Sequence, residues 1–515
     1  MPEPNQPLRV AIRTDASARI GTGHLIRCLS LALALRSRGM QVEFLTRCAD
    51  EQLLQRIRTH DFEIQTLHAS VPERSVRGSE YEQWLGVPWQ TDADETLTLL
   101  EKHPPDWLVV DHYGINAPWE RRLRDGCRAM LIIDDLPERR HDCDLLVDQN
   151  LHGEETAHGS RVENRGAEIL LGPRFALLAD SFRKEREARC TTPFVKAAGR
   201  TPRMVIFFGG TDPANETAKA LTALEMLPVG SFEVDVVAGV LNRNLDELKA
   251  LCRTAGYQLH LSADMASLYA RADLALGAPG VSTWERMCVG IPSLLVAVAE
   301  NQESVGAALE QAGYVTYLGK SPDITVQDYA GFLQALPHLR GELQRQAKRG
   351  SDLVDGRGAL RIASRMLYWW LALRVVTLED SRTIHAWRNS EEVRRCSFDQ
   401  EPIPLEKHDA WLRSALNDPD RMLLIAEYAG EPLGVVRFDC KGMDATVSIF
   451  LNPAQIGSGI GPALLRNARR WLARERPTVR RIFADILHHN YASQTLFREA
   501  GYQEWSARYV LPVHE

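Results

Sequence analysis

The 515-residue sequence is 44% hydrophobic, 25% charged and 7% aromatic, with a formal net charge of −7 at pH 7. At about 150 residues per domain this length predicts roughly three domains. The composition excludes collagen, coiled-coil arrays and a wholly disordered chain, and the acidic balance leaves no broad basic face for nucleic acid. The amino-terminal MPEPNQPLRVAIRTD lacks a basic segment followed by an apolar one, so no secretory signal is expected. The apolar run at 367–376 contains an arginine and is about half a bilayer long, so no membrane span is expected. Nine cysteines, at 28, 48, 127, 143, 190, 252, 288, 396 and 440, are scattered and form no C-x-x-C pair. That usage fits reduced thiols in a cytoplasmic protein and supports neither a metal site nor a disulfide framework.

In chain order, apolar or β-branched runs predict strands at 9–13, 42–46, 107–111, 130–134, 204–208, 233–238, 274–276 and 294–298. Unalternating runs such as VIFF and LLVAV suit strands covered on both faces, hence parallel sheets. Helical stretches fall between them: Leu25, Leu29 and Leu33 recur every four residues, and Gly39 stands where a helix should end. This is βαβ organisation, with two glycine-rich strand-to-helix turns far apart, at Gly21–Gly23 and Gly209–Gly210. Two doubly wound halves are expected, joining near 172–203. After Trp370 the texture changes to an α+β module of about 140 residues, an ordinary domain size. It contains a strand at 373–377, a hairpin of 422–428 with 433–438, strands at 446–451 and 482–487, and a last helix to Ala500.

Three clusters carry candidate chemistry. In the first, Asp15, Gly21, Gly23, His24 and Arg27 lie where the first strand turns into the first helix. Glycines there let backbone N–H groups approach a phosphate or sugar, and a histidine in the first turn can act as a general base. Asp15 is the candidate to orient that imidazole, and Asp111, His112 and Tyr113 sit at another strand end where they could contact a sugar, although Asp15 and Asp111 could equally be strand-end caps. In the second, FFGGTDPAN supplies Gly210, Thr211 and Asp212, and GAPGVSTWE supplies Ser282 and Glu285, followed by Asn301 and Gln302. Such loops can hold a diphosphate and a ribose, although Ser282 and Glu285 could equally cap a helix. In the third, Gln455-Ile-Gly457-Ser458-Gly459-Ile-Gly461 follows a strand ending at Leu451 and precedes a helix, a pyrophosphate cradle. Asn490 and Ser493 follow near another helix start.

The segments DASARIGTGHLIRCLSLA, VVDHYGINAPWE, LIIDDLPERRHDCDLLVDQN, LLGPRFALL, FFGGTDPAN and GVSTWERMCVGIPSLLVAVAENQ occur in one order. In that order they resemble the UDP-sugar hydrolases of the pseudaminic acid pathway, a family similar to the MurG-type glycosyltransferases. The resemblance implies a two-lobed GT-B fold of two Rossmann-like domains, 8–172 and 173–367. It also implies hydrolysis of UDP-2,4-diacetamido-2,4,6-trideoxy-β-L-altropyranose, with His24 as the catalytic base and uridine and diphosphate contacts around Glu285 and Asn301. The glycine-rich loop and ILHHNYASQTLFREAGY together resemble the GNAT acetyltransferases. That likeness implies a third domain at 372–512 with acetyl-CoA as co-substrate, held by Leu451, Gly457, Ser458, Gly459, Gly461, Asn490 and Ser493. WRNSEEVRR and H-x-x-W resemble the pathway's own member of that superfamily and mark Trp387, Arg388, Asn389 and His408 for the amino-sugar nucleotide, although Trp387, Trp411 and His408, each taken alone, read better as ordinary core and cap residues. Two positions depart from the GNAT pattern: Ile456 before the first glycine, and Phe497 where a tyrosine usually protonates the leaving thiolate. The two resemblances name consecutive steps, acetylation of a 4-amine and then release of the sugar from UDP. The rival readings are a GT-B glycosyltransferase fused to an acyltransferase, and a hydrolase with a module that only binds CoA. No metal is expected, and the sequence does not set the oligomeric state.

Overall fold

The computed structural model describes residues 6–17, 19–68, 80–136, 138–151, 161–164, 166–190, 200–240, 242–261 and 263–505. Positions 506–512 of the expected third domain lie outside the described residues. The chain divides into two compact units, one running from Pro7 to Ala363 and the other holding Ser364 onward.

The first unit contains two parallel sheets. The first is built from β1 (Arg9–Thr14), β2 (Gln41–Thr46), β3 (Glu63–Thr66), β4 (Trp107–Asp111), β5 (Ala129–Ile133), β6 (Leu145–Asp148) and β7 (Glu168–Leu171). Its order is β3-β2-β1-β4-β5-β6-β7. The second uses β8 (Arg203–Phe207), β9 (Glu233–Val237), β10 (Gln258–His260), β11 (Leu274–Gly277), β12 (Ser293–Ala297) and β13 (Thr316–Lys320). Its order is β10-β9-β8-β11-β12-β13. Both sheets are doubly wound, and each reverses direction beside its first strand, between β1 and β4 and between β8 and β11. Open α/β sheets bind ligands outside the carboxyl ends of the strands at such a reversal, because the flanking loops part there. All three sequence-marked loops of this unit, at 15–24, 208–212 and 278–285, leave strands that border the two reversals.

The central strands are apolar on both faces, as helices on both sides require. Trp107, Leu108, Val109 and Val110 of β4 are buried, as are Met204, Val205 and Ile206 of β8. After β7, Gly172 turns the chain at φ 91°, and helix Asp180–Cys190 packs through Phe182 into the core of the second sheet.

The second unit has one sheet in the order β14-β15-β16-β17-β18: Ala372–Val375, Arg421–Tyr428, Glu431–Lys441, Asp444–Leu451 and Arg481–Phe483. Neighbours are antiparallel except β17 and β18, which are parallel and last pair at Thr446 and Phe483. Residues 447–451 of β17 run on past that pairing, so the sheet opens beside the glycine-rich loop that follows them. Helix Ile460–Glu475 covers one face through Ile460, Ala463, Leu464 and Leu472. Among the described residues no helix is long and apolar enough to cross a membrane. No cluster of three or more His, Cys, Asp or Glu side chains there is placed to hold a metal ion.

Candidate functional site

His24 is the second residue of helix Gly23–Ser37, whose N-cap makes no side-chain hydrogen bond and so leaves first-turn amides open to an anion. Its Nδ1 lies 2.6 Å from Asp111 Oδ1, at the carboxyl end of β4. Burial alone would raise the Asp111 carboxyl, but the Arg27 guanidinium and then His24 outweigh it and hold the group well below the usual carboxylate range. An ionised carboxylate only accepts, so Nδ1 carries the proton and Nε2 presents its lone pair. Arg27 clamps the same carboxylate through Nε and Nη2, each at 2.6 Å, and reaches Asp135 through Nη1 at 3.1 Å. The Tyr113 hydroxyl donates to the other Asp135 oxygen, and its ring stands edge-on to His24 at 4.6 Å. The imidazole is thereby fixed in tautomer and in orientation. Such a pair can act as a general base with its orienting carboxylate, and it is assembled across the reversal of the first sheet.

Asp15 does not play the part expected of it. Its carboxylate accepts from Arg13 at 2.6 and 2.8 Å, from Thr46 Oγ1 at 3.0 Å and from the Arg47 amide at 2.7 Å. It makes no hydrogen bond to His24; Asp111 holds that place, and Arg13, Thr46 and the Arg47 amide take up the Asp15 carboxylate. His112 Nδ1 accepts from the Gly114 amide at 2.9 Å, and Nε2 faces Asp15 at 3.3 Å without good alignment. Burial lowers the His112 imidazole more than Asp15 raises it, leaving a neutral, structural ring. Gly21, at φ 82°, donates to the Ser17 carbonyl at 2.8 Å and closes the loop ahead of His24. The motif reading missed Asp92, which buries Arg13 and also accepts from Trp119, and it missed Asp135, Tyr81 and Trp84.

A second buried charge cluster stands behind β5 and β6. His141 Nδ1 is 2.6 Å from Glu120 and its Nε2 is 3.1 Å from Asp134, which also binds Arg139. Burial pulls this imidazole down, but Asp134 and Glu120 prevail and push it up to about 9 from 6.5. A raised folded-state value means the stabilisation is complete below about 6.5 and is lost as pH rises through about 9. Chemical denaturation of the intact protein should therefore show stability falling across that window, and His141→Gln should flatten the fall. An unchanged slope in the variant would remove His141 as its cause.

In the second sheet the loop after β8 and the loop after β11 lie side by side, since Phe207 pairs with Gly277. Gly209 takes φ 100°, and the Gly210 carbonyl accepts from the Gly239 amide at 2.9 Å. A Cβ on Gly239 would stand 2.5 Å from that carbonyl, so only glycine allows the approach. Thr211 is half-buried. Asp212 corrects an expectation: its oxygens accept from the Glu216 and Thr217 amides at 3.0 and 2.9 Å, so it caps a helix rather than facing a ligand. Gln302 likewise accepts from the Val298 amide at 2.9 Å, whereas Asn301 is exposed. Ser282 is half-buried in the first turn of helix Val281–Val289, which no side chain caps. Glu285 has no hydrogen-bond partner among the described residues. Burial pushes its carboxyl up to about 7 against the pull of Arg286, as fits an acceptor lacking its donor.

In the second unit Gly457 and Gly459 take φ 82° and 89°. Ser364 Oγ donates to the Ser458 carbonyl at 2.9 Å, and Ser458 Oγ donates to the Gln455 carbonyl at 2.6 Å. Helix Ile460–Glu475 begins without a side-chain cap, so the amides of Ile460 and Gly461 remain for an anion. A Cβ on Gly461 would press on Leu496 at 3.1 Å. Leu451 ends β17 beside this loop. These features fit the pyrophosphate of acetyl-CoA. Asn490 Oδ1 accepts from the Ser493 amide at 3.0 Å, so it is a helix cap that retains only its Nδ2 for a ligand. Phe497 lies in the core edge-on to Tyr502 at 4.9 Å, and burial pushes the Tyr502 phenol up to about 12.

Trp387 and Asn389, expected to touch the amino sugar, are taken up by the fold, whereas the buried Nε2 of His408 has no hydrogen-bond partner among the described residues. Trp387 is buried in a core with Ile384 and Leu412, and Asn389 clips the Ile403 backbone through Oδ1 at 2.9 Å and Nδ2 at 2.8 Å. His408 is 3% exposed, packed between His385 and Trp411. Arg388 donates to the Asp399 carbonyl at 2.9 Å and stays half-buried.

Residues 371–503 match the family model of the acetyltransferase (GNAT) domain, so the second unit is a GNAT-type domain. Over nearly its whole length the chain is similar to an uncharacterized protein of Methanocaldococcus jannaschii. The two are 24% identical over 519 residues, 96% of this chain and 97% of the other. The spore coat polysaccharide biosynthesis protein SpsG of Bacillus subtilis is 23% identical over 69% of this chain and 97% of its own. The UDP-2,4-diacetamido-2,4,6-trideoxy-beta-L-altropyranose hydrolase of Campylobacter jejuni is 21% identical over 60% of this chain and 98% of its own. Among solved structures, Acinetobacter baumannii MurG is 14% identical and covers 70% of this chain and 99% of its own, with a TM-score of 0.48. The chain thus joins a region similar to SpsG and to that hydrolase to a region that matches the GNAT family model.

Proposed function

We propose that the chain is a bifunctional enzyme of amino-sugar nucleotide metabolism. Its carboxyl-terminal unit acetylates the 4-amine of UDP-4-amino-4,6-dideoxy-N-acetyl-β-L-altrosamine. Its first unit hydrolyses the product to UDP and the free sugar. The observation that carries the reading is the His24–Asp111 pair at the reversal of the first sheet, a base whose tautomer is fixed by an ionised partner. In the hydrolytic step His24 Nε2 takes a proton from water as the water oxygen bonds to the anomeric carbon. The bond from that carbon to the diphosphate oxygen breaks, and the electron pair leaves with UDP. Developing charge on the diphosphate is met by backbone amides of the glycine loops after β8 and β11. Glu285 accepts from the ribose hydroxyls. In the other unit, amides of the 457–461 loop hold the pyrophosphate of acetyl-CoA. The substrate amine attacks the thioester carbonyl, the carbon–sulfur bond breaks, CoA leaves as its thiolate, and the proton shed by the amide nitrogen passes to water, since Phe497 offers no phenol to relay it.

Incubation with the diacetamido sugar nucleotide in water, with no acceptor, is expected to release UDP and free sugar. Failure without an acceptor, and turnover once one is added, would favour a glycosyltransferase. Glu285 gives a separate prediction about binding. Glu285→Ala should raise KM for the sugar nucleotide and weaken UDP inhibition by similar factors, with kcat little changed. Ribose hydroxyls favour the ionised carboxylate, so wild-type UDP affinity should gain over that of Glu285→Gln as pH rises through about 7. Parallel pH curves for the two proteins would place the ribose elsewhere.

A further inference from the structure

At the root of the two glycine loops of the second sheet lies a charge that the proposed reaction leaves unused. Arg286, in helix Val281–Val289, is fully buried. Its Nη2 donates to the Ala278 carbonyl at 2.8 Å and to Thr283 Oγ1 at 2.9 Å, whereas Nε and Nη1 have no acceptor among the described residues. Tyr269 and Glu285 are the groups whose charges bear on it. The Tyr269 hydroxyl makes no aligned hydrogen bond, and burial keeps that phenol protonated. Glu285, whose carboxyl burial pushes up to about 7, forms no ion pair with the guanidinium. The arginine charge therefore has no counter-charge beside it.

Its place is specific. A Cβ on Gly277 would stand 2.3 Å from Arg286 Nη1 and 2.3 Å from the Phe207 carbonyl oxygen. Phe207 ends β8 and Gly277 ends β11, so the guanidinium sits at the reversal of the sheet, where both glycine loops begin. Glycine at 277 leaves the room it needs. The turn after β11 has ties of its own: the Ala278 carbonyl accepts from the Gly280 amide at 2.9 Å and from Thr283 Oγ1 at 3.2 Å, and the Thr283 amide donates to the Gly280 carbonyl at 2.8 Å. An arginine is not required to shape it.

A buried ion without an opposite charge is costly, and apolar replacements of buried ions are often neutral or stabilising. An anion resting on the uncapped first turn of helix Val281–Val289 would supply the missing charge, and attraction in a low-dielectric interior reaches it through the loop backbone. We propose that Arg286 is a positioning residue for a nucleoside diphosphate: without touching the ligand, it offsets the charge of the diphosphate from beneath the loop. Breaking the bond to the anomeric carbon leaves an additional negative charge on that diphosphate, so the attraction is stronger for the departing UDP than for the intact sugar nucleotide. The proposal rests on the nucleotide placement in the hydrolase reading above, yet binding alone tests it.

Calorimetry of the full-length protein with UDP and with uridine is the experiment. Arg286→Met should weaken UDP by about ten- to a hundredfold, the worth of a unit charge acting across several ångströms of protein, and leave uridine affinity unchanged. Arg286→Lys keeps the charge and should recover most of that loss. Without ligand, Arg286→Met should melt at or above the wild-type Tm, because an apolar chain replaces an uncompensated ion; a staple needed by the loop would lower it. Undiminished UDP affinity in Arg286→Met, equal weakening of UDP and uridine, no recovery in Arg286→Lys, or a wild type that does not bind UDP would each overturn the proposal. UDP binding that depends on Arg286, in a protein that never releases UDP from a sugar nucleotide, would uphold it and refute only the hydrolase reading.

Discussion

Replacing His24 with alanine is expected to lower UDP release by about a hundred- to ten-thousand-fold while acetyl transfer continues at the wild-type rate. In the proposed hydrolytic step the side chain lost takes the proton from water, whereas the proposed acetyl-CoA loop belongs to the other unit. UDP inhibition should be preserved, because the nucleotide contacts proposed here lie on the other sheet. Asp111→Asn should cost a similar factor by a different route. An asparagine amide can donate to Nδ1, which turns Nε2 into the protonated nitrogen and removes the base without removing the ring. That variant also strips Arg27 of its bidentate partner, and breaking a buried pair costs about 3–5 kcal/mol. Denaturation must accompany its kinetics; His24→Ala leaves the Arg27–Asp111 pair in place and separates the two effects. Near-normal hydrolysis by folded His24→Ala would require a different base.

The second large effect belongs to the other unit. Gly459→Val is expected to reduce acetyl-CoA affinity about a hundredfold by calorimetry, with hydrolysis of pre-acetylated substrate intact. Valine is strained at φ 89°, and its Cβ would stand 2.5 Å from the Cβ of Ser364, the residue that anchors the loop through the Ser458 carbonyl. Left-handed backbone costs about 1–2 kcal/mol and overpacking about 1–3, so on the order of 3 kcal/mol in all, near a hundredfold in binding. The loop must shift, and its amides lose their aim. Affinity within threefold of wild type would show that this turn does not hold the pyrophosphate.

The reason for that glycine was only half legible in the sequence. The spacing of Gly457, Gly459 and Gly461 announces a tight, amide-rich turn, but the collision at Gly459 is with Ser364, far away in the chain. By contrast, a Cβ on Gly457 would meet nothing within 4 Å. The same limit applies to the hydrolase site. His24 and Asp111 were both visible as polar residues at strand ends, yet 87 positions separate them, and only the order β2-β1-β4 brings them to 2.6 Å. Asp15 was the nearer guess along the chain, and Arg13, Thr46 and Arg47 draw it the other way. Asp212 and Asn389 sat inside family-like motifs and are a helix cap and a backbone clip, and Trp387 lies in the core as its residue type alone suggested.

Strand prediction failed where a strand is short or its run of apolar residues is broken. The central strands read as continuous apolar runs, but β3 (EIQT), β10 (QLH) and β13 (TYLGK) form the sheet edges, where one side meets solvent and polar residues interrupt the run. Four-residue β6 and β7 were also missed, although β11, of the same length, was not.

The central claim is a two-step reaction on one chain, and it can be tested in a single vessel. The protein would be incubated in ¹⁸O-water with UDP-4-amino-4,6-dideoxy-N-acetyl-β-L-altrosamine, with and without acetyl-CoA, and the products read by mass spectrometry. The predicted result with acetyl-CoA is unlabelled UDP and a diacetamido sugar carrying ¹⁸O at its anomeric hydroxyl; without acetyl-CoA the starting sugar nucleotide should persist. Label in UDP would place the cleavage at phosphorus. An acetylated sugar nucleotide that accumulates without releasing UDP would contradict the hydrolase half outright.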